Sequence, residues 1–294
     1  MREFAHYIAI DWSGAKGSRQ KGIALSLADS EGGPPVLVNP PKGGWAREDI
    51  LAILRDDIPH DSLIGIDLGI SLPFHDTGAF FPHWEDSPPD AKSLWAMIDR
   101  ICAEDPNLGC NSFVAHPQAS QYFRHSKDHV GQFFHSPNAR SKEGRFRCAE
   151  HAQREQGVRP VSNFNLVGAA QVGKSSLTGM RMLHQLNGSV SVWPIDPLPK
   201  SGPVLVEIYT SIAARGGKIG GTKTKLRTIE ELNASLAELG SPPVNGTGPI
   251  DDHSSDALVS AAWLRSVAGA REFWQPESLT QEIARTEGWT FGAL

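Results

Sequence analysis

Two short stretches of the sequence place an aspartate directly after alternating isoleucines. Residues 8–11 are Ile-Ala-Ile-Asp and residues 64–67 are Ile-Gly-Ile-Asp. This alternation predicts two strands, each with its isoleucines on one face and a small residue followed by the aspartate on the other face. Because adjacent carboxylates repel each other, a fold that pairs Asp11 with Asp67 would hold a divalent cation there or share a proton between them. The alternative is that each aspartate only caps the loop after its strand.

Further acidic residues lie near the end of the sequence. Residues 251–258 are Asp-Asp-His-Ser-Ser-Asp-Ala-Leu, and an apolar helical segment follows them. His253 and Asp256 are three residues apart and therefore share one face of a helix. We expect Asp251 to cap this helix, because acidic residues favour helix N-termini. Asp256 lies inside the first turns, where capping explains it less well, and Glu207 is a further acid within a predicted strand at 204–209.

Basic and polar residues in predicted loops are candidates for contacts with a phosphate chain. Between positions 215 and 227 the sequence has five basic residues and no acidic one, a composition that suits phosphate binding. A glycine-rich turn at 168–173 precedes another lysine. The candidate substrate-binding residues are Ser13, Lys16, Lys174, Lys218, Lys223 and Lys225.

The stretch from residue 116 to residue 160 combines basic and aromatic side chains. It has eight lysines and arginines against four acidic residues, interleaved with tyrosine and phenylalanine. One interpretation is a surface for a nucleic-acid strand, in which aromatic rings stack on bases and cations contact phosphates. The other is a solvated loop region whose aromatic side chains are buried in the core.

The order of the predicted elements determines whether the acidic residues meet. Periodicity predicts strands at 7–11, 21–28 and 36–38, a helix at 45–57 and a fourth strand at 63–67. A hairpin followed by a crossover helix returns the fourth strand beside the first and parallel to it. We therefore predict one α/β domain over residues 1–294, with a central mixed five-stranded sheet flanked by helices and an insertion at 75–200 after the fourth strand.

Composition excludes several classes of protein. The chain has 294 residues, of which 39% are apolar, which is enough for a substantial core. No run of about 18 apolar residues predicts a membrane span, and the N-terminus does not resemble a signal peptide. Three cysteines are too few for a disulfide framework. We therefore expect a cytoplasmic protein. The sequence does not determine its oligomeric state, and a dimer is one possibility. The net charge of −5 does not favour nucleic acid as a partner, but the charge is unevenly distributed.

Taken together, these motifs resemble the RNase H-like nuclease superfamily. The His-Ser-Ser-Asp-Ala-Leu segment at 253–258 is similar to the helix motif of RuvC-type resolvases, although those proteins carry glutamate where this chain has Asp67. The chain resembles more closely a family of predicted nucleases known as domain of unknown function 429. The motifs that carry this resemblance lie at 10–14, 65–67, 167–173, 207–209, 251–252 and 256–258.

The resemblance implies a metal-dependent nuclease that hydrolyses phosphodiester bonds of DNA or RNA with two divalent ions, Mg2+ or Mn2+. The metal ligands would be Asp11, Asp67, Asp252, His253 and Asp256. The catalytic residues would be Asp11, Asp67, Glu207 and Asp256, with Glu207 orienting a ligand or the attacking water. Hard oxygen ligands favour magnesium, and one histidine shifts the preference only slightly towards manganese.

Three alternatives compete with a nuclease. Residues 168–175 match a P-loop pattern, but the segment before them is interrupted by asparagines and is a weak strand. Residues 66–71 resemble the phosphate loop of actin-like and sugar-kinase domains, which predicts an ATP-dependent phosphotransferase. A non-catalytic nucleic-acid-binding module of the same fold is the third.

His125 and His129 have the spacing of zinc ligands on a helix, but no third ligand lies at suitable spacing.

Overall fold

A computed structural model describes residues 2–136, 143–168, 171–216 and 225–294. The predicted phosphate contacts Lys218 and Lys223 lie outside these residues, as do positions 169–170 of the P-loop-like match. Six strands form one sheet: β1 His6–Asp11, β2 Ala24–Asp29, β3 Val36–Leu37, β4 Ser62–Asp67, β5 Ser191–Trp193 and β6 Val204–Glu207.

The sheet is mixed, with the strand order β3-β2-β1-β4-β6-β5. β1 pairs antiparallel with β2 and parallel with β4, and β6 lies parallel between β4 and β5. The predicted α/β class and the parallel pairing of the first and fourth strands are confirmed. The predicted number of five strands is wrong, because residues 191–193 and 204–207 both join the sheet. The first of these segments lies within the predicted insertion.

Helices cover both faces of this sheet. They are α1 Arg47–Ala52 (continued by a π-helical turn at Ile53–Asp57), α2 Ala91–Ile101, α3 Asn111–Ala115, α4 Cys148–Glu155, α5 Val172–Gln185, α6 Thr210–Gly216, α7 Ile229–Glu238, α8 Asp252–Val267, α9 Arg271–Trp274 and α10 Gln281–Thr286. A 3-10 turn occupies Ala119–Tyr122. Among the described segments, no helix has the length and apolar character needed to cross a membrane.

Strand alternation divides the hydrophobic core into two clusters. The isoleucines of β1 and β4 pack with α2 and α5 on one face. On the other face, the alternate positions of the same strands pack with α7 and α8. Asp11 and Asp67 follow Ala9 and Gly65 in this alternation and therefore lie on the α8 face of the sheet.

A glycine in β4 allows α8 to approach the sheet closely. A Cβ atom at Gly65 would lie 2.7 Å from Leu264 Cδ1 and 2.8 Å from Ile208 Cγ2, and both contacts are too short for carbon atoms. The small residues that separate the isoleucines in the two motifs thus permit close packing of α8. This packing brings the beginning of α8 to the end of β1.

The aromatic residues of the 116–160 stretch belong to the core. Tyr122, Phe123, Phe134 and Phe146 are buried, so they cannot stack on nucleic-acid bases. Arg145 is also buried and forms an ion pair with Asp76 at 2.6 Å. The interpretation of these aromatic side chains as a base-stacking surface is therefore wrong.

Candidate active site

The parallel register of β1 and β4 places Asp11 directly beside Asp67 at the C-terminal ends of both strands. α8 then contributes two side chains from its first turns. His253 Nδ1 lies 2.6 Å from Asp11 Oδ2. Burial, followed by the nearby charge of Asp11, raises the pKa of Asp256. Asp11, Asp67 and Asp256 are called the acidic cluster below. The structure thus brings together three predicted site carboxylates and the predicted histidine.

Burial and mutual repulsion disfavour ionisation of the acidic cluster. Burial, followed by the charges of Asp11 and Asp256, raises the pKa of Asp67 well above its usual range. Burial also raises the pKa of Asp11, although the hydrogen bond from His253 opposes this shift. Burial and then the charge of Asp11 raise the pKa of Asp256 to about 7. Three like charges here are costly without a compensating cation.

Few side chains of the described segments contact these carboxylates. Thr210 Oγ1 donates to Asp67 Oδ2 at 3.1 Å, and His253 contacts Asp11. No lysine or arginine in those segments forms an ion pair with the acidic cluster. The Asp11 hydrogen bond raises the pKa of His253, which favours its protonated form. The protonated imidazole therefore supplies part of the missing positive charge.

The donor atoms of the acidic cluster match the chemistry of a divalent cation. Carboxylate oxygens are the preferred ligands of Mg2+, and Mn2+ also accepts an imidazole nitrogen. Among the residues with assigned positions, no group of three or more acidic, histidine or cysteine side chains is already arranged around a common metal position. The carboxylate and imidazole donors of this site fit Mg2+ or Mn2+. A bound ion would replace the contact between His253 and Asp11.

Comparison with known proteins found no match. No family model, curated protein or solved structure is significantly similar to this chain. The function must therefore be argued from the chemistry of the site.

Asp252 does not join the acidic cluster. Its carboxylate forms ion pairs with Lys225 and with Arg227, whose Nη1 lies 2.7 Å from Asp252 Oδ1. The hydrogen bond from Lys225 lowers the pKa of Asp252. The structure therefore corrects two predictions, because Asp252 is not placed as a metal ligand and Lys225 is occupied by a carboxylate.

Asp251 caps α8 as the sequence predicted. Its carboxylate accepts hydrogen bonds from the Ser254 backbone amide at 3.0 Å and from the Ser254 hydroxyl at 2.7 Å. The N-cap satisfies an amide that has no partner within the helix. Asp251 therefore fixes the start of α8, on which His253 and Asp256 depend for their positions.

Glu207 lies on the other face of the sheet from the acidic cluster. It pairs in register with Ile66, whereas Asp67 is the next residue of β4. Both of its oxygens are occupied. Oε1 accepts from Arg147 Nη2 and from Thr290 Oγ1, each at 2.5 Å, and Oε2 accepts from Arg147 Nη1 and from the Ile70 amide, each at 2.8 Å. The predicted catalytic role of Glu207 is therefore not supported, and the residue instead anchors Arg147.

Two residues near the site were missed by sequence reasoning. Thr210 follows β6 and was not distinguished from other loop threonines, yet it is the hydroxyl donor to Asp67. Arg147 was counted as a surface cation, but it is buried between Glu150 and Glu207. Its position three residues before Glu150, at the start of a helix, was the available signal for a local ion pair.

The loop after β1 packs on the beginning of α5. A Cβ atom at Gly14 would lie 2.4 Å from the Ser175 backbone nitrogen, so only glycine fits at this contact. Trp12 Nε1 also donates to Thr178 Oγ1 at 3.0 Å. This packing places Lys174 beside the loop that carries Ser13 and Lys16, as the phosphate-contact hypothesis requires.

Of these predicted contacts, Ser13 lies closest to the acidic cluster. A Cβ atom built on Gly22 would be 3.3 Å from both Ser13 Oγ and the His253 ring, so these two side chains flank the same glycine. Lys16 is exposed in the same loop, and Lys174 Nζ contacts Gln171 Oε1 at 3.1 Å. Ser13 is therefore the predicted substrate contact that lies beside the site histidine.

In both segments that resemble nucleotide-binding loops, several backbone amides already have partners within the protein. In the segment that resembles a kinase phosphate loop, the Gly69 amide donates to Ser176 Oγ at 3.2 Å and the Ile70 amide donates to Glu207. An amide that is bonded to a buried carboxylate is not free for a phosphate. In the P-loop-like segment, the described residues before α5 form no strand of the sheet, and the Gly173 amide donates to the Asn165 carbonyl.

The histidine pair with zinc-ligand spacing also lacks the helical geometry that this spacing would need. His125 and His129 lie on the two arms of a tight turn in which the His125 amide donates to the His129 carbonyl at 2.9 Å. Their rings stack with centroids 4.7 Å apart. The helix that would have aligned them as ligands is absent from this described segment.

A cleft opens beside Asp67 at the C-terminal edge of the sheet. It encloses about 220 Å³ and is lined by Trp12, Asp67, Ser175 and Tyr209, among others. We call it the acidic-edge cleft. Its volume is below that of small-molecule sites, roughly 300–1,000 Å³. It can therefore hold only part of a substrate, which would lie against Asp67.

Proposed function

We propose that this chain is a divalent-metal-dependent nuclease that hydrolyses phosphodiester bonds and has an RNase H-like fold. The observation that carries the proposal is the convergence of Asp11, Asp67 and Asp256, with no lysine or arginine of the described segments paired to them. The parallel pairing of β1 with β4 and the antiparallel hairpin before it support the fold assignment.

The carboxylates and His253 would hold Mg2+ or Mn2+ at the C-terminal ends of β1 and β4. The bound cations would supply a more acidic water and would neutralise charge on the phosphate. Thr210 orients Asp67 through its hydrogen bond, and such supporting contacts fix the direction of a metal-binding carboxylate. The protonated form of His253 screens Asp11 when no cation is bound.

The test is cleavage of labelled single-stranded and duplex DNA and RNA, with Mg2+ or Mn2+ added after treatment with a chelator. The Asp11→Asn and Asp67→Asn substitutions keep side-chain size but remove a charge, so we expect at least a hundredfold loss of rate with the fold retained. The matched control is Asp251→Asn. It removes one charge from the same helix start, while asparagine still serves as an N-cap.

The results distinguish the nuclease from the alternatives. Cleavage that persists in the Asp67→Asn variant would mean that the acidic cluster is not the site. Binding without cleavage under either metal would favour a non-catalytic nucleic-acid-binding module. ATP hydrolysis in the presence of a sugar acceptor, without cleavage of any nucleic acid, would favour the phosphotransferase.

A further inference from the structure

A second cleft, rich in arginine, adjoins the acidic-edge cleft. It encloses about 460 Å³ and includes Arg124, Arg154 and Arg159 in its lining, with Glu143 as the acidic lining residue. We call it the arginine cleft. Positive charge therefore lies next to the negative acidic cluster. This arrangement suits a polyanion, because the positive charge can hold the chain while the reacting phosphate lies near the carboxylates.

The two clefts share a wall. Pro160 and Val161 line both of them. Tyr209, which lines the acidic-edge cleft, donates its hydroxyl to the carbonyl oxygen of Arg159 at 3.4 Å. Arg159 therefore lies at the boundary between the two clefts.

The arginines of this cleft differ from the buried arginines of the same region. Arg145 and Arg147 are enclosed by acidic partners. In contrast, Arg159 is exposed, and its guanidinium has no hydrogen bond or ion pair within the described part of the chain. Arg124 makes one long contact, from Nε to the Ser126 carbonyl at 3.4 Å. Within the described residues, the Arg159 guanidinium and the two Nη groups of Arg124 are thus free to bind a ligand.

The third arginine of the cleft lies over an aromatic ring. The Arg154 guanidinium carbon lies 4.0 Å from the centroid of Phe146, and Arg154 also pairs with Glu143 at 3.3 Å. About 35% of its side chain remains exposed. Guanidinium planes fixed in this manner offer a stacking surface for a nucleic-acid base.

We propose that the arginine cleft binds the phosphate backbone of a single-stranded nucleic acid whose reacting phosphate lies at the acidic cluster. The inference rests on the proposed nuclease function and adds the substrate class and the path of the strand. The volume of the cleft lies within the range of small-ligand sites, roughly 300–1,000 Å³, and a base must be unpaired to stack on Arg154. Arg159 and Arg124 would contact successive phosphates, and Arg154 would stack on a base.

The experiment measures binding of a fluorescently labelled single-stranded oligonucleotide to the full chain in EDTA, over a range of salt concentrations. The Arg124→Ala/Arg159→Ala double variant should lower the slope of log affinity against log salt by about 1.4, because each phosphate contact on a single strand contributes about 0.7. The matched control is Arg100→Ala/Arg271→Ala, which removes the same charge from helices α2 and α9. We expect the control slope to equal that of the parent.

Each outcome bears on the inference. A reduced slope for the single strand but not for a duplex of the same sequence supports it. An unchanged slope in a protein that still cleaves nucleic acid overturns the arginine cleft and leaves the proposed function intact. An equal loss for duplex and single strand overturns the assignment of substrate class. A parent protein that neither binds nor cleaves any nucleic acid overturns both proposals.

Discussion

Removal of the Asp256 charge should stabilise the metal-free protein at alkaline pH. The pKa of Asp256 rises from 3.8 to about 7 on folding, because burial and the Asp11 charge disfavour the carboxylate. Since each pKa unit corresponds to 1.36 kcal/mol, ionising this group in the folded protein costs about 4 kcal/mol. Relaxation of the side chain towards water reduces the cost, so we expect about 2 kcal/mol.

The sign of the pH dependence follows from the direction of the shift. The folded protein binds more protons than the unfolded chain between pH 4 and pH 7, so the free energy of unfolding falls as pH rises through this range. His253 adds to the trend. Its raised pKa supplies stability below its usual value of 6.5 that is lost as pH rises.

Thermal unfolding in EDTA at pH 5 and pH 8 measures this effect. At pH 8 the Asp256→Asn variant should melt about 4–8 °C above the parent, since 1 kcal/mol shifts the midpoint by about 2–4 °C in proteins of comparable size. The difference should shrink at pH 5. Saturating Mg2+ or Mn2+ should stabilise the parent by about 2.7 kcal/mol at a hundred times its Kd and should stabilise the variant less. A variant that is less stable than the parent at pH 8 would refute the reasoning.

Three further predictions follow from individual contacts. Thr210→Val removes the hydroxyl donor to Asp67 and should lower metal affinity or cleavage about 10–100-fold, measured by titration with Mn2+ and by cleavage rate; an unchanged affinity and rate would mean that the hydroxyl does not orient Asp67. Glu207→Gln weakens the buried pair with Arg147 and should lower the free energy of unfolding by about 3 kcal/mol, measured by chemical denaturation. Adding the metal should stabilise this variant by as much as it stabilises the parent. Gly65→Val should displace α8 through its contact with Leu264 and reduce both stability and metal binding. The control is Gly269→Val, where a Cβ atom meets nothing within 4 Å, and it should spare metal binding.

The acidic cluster could be predicted because its residues lie on strands and a helix whose apolar residues recur with a clear period. The alternation of isoleucine with a small residue fixes which face of the sheet carries Asp11 and Asp67, and the hairpin and crossover fix the neighbours of β1. His253 and Asp256 followed from their spacing on one helix. All four depend on short-range patterns and on one topological rule.

The errors arose where the partner of a side chain is remote in sequence. The ion pairs of Asp252 with Lys225 and of Arg147 with Glu207 join residues 27 and 60 positions apart, which no local pattern reveals. A catalytic role was predicted for Glu207 because it is an acidic residue in a strand. Its register with Ile66 places it on the other face of the sheet from the acidic cluster. The number of strands was wrong because the segment at 191–193, which has a strand pattern, was assigned to the insertion and not to the sheet.

The hydrogen bond between His253 and Asp11 joins positions 242 residues apart. At a synthesis rate of 5–20 residues per second, Asp11 is synthesised roughly 12–50 seconds before His253. The sheet residues on one side of the site are therefore made long before α8 can cover them, and contacts over such separations form late in folding. A nascent or truncated chain that ends before residue 252 lacks both His253 and Asp256. The proposed metal site is thus complete only after most of the chain has been synthesised.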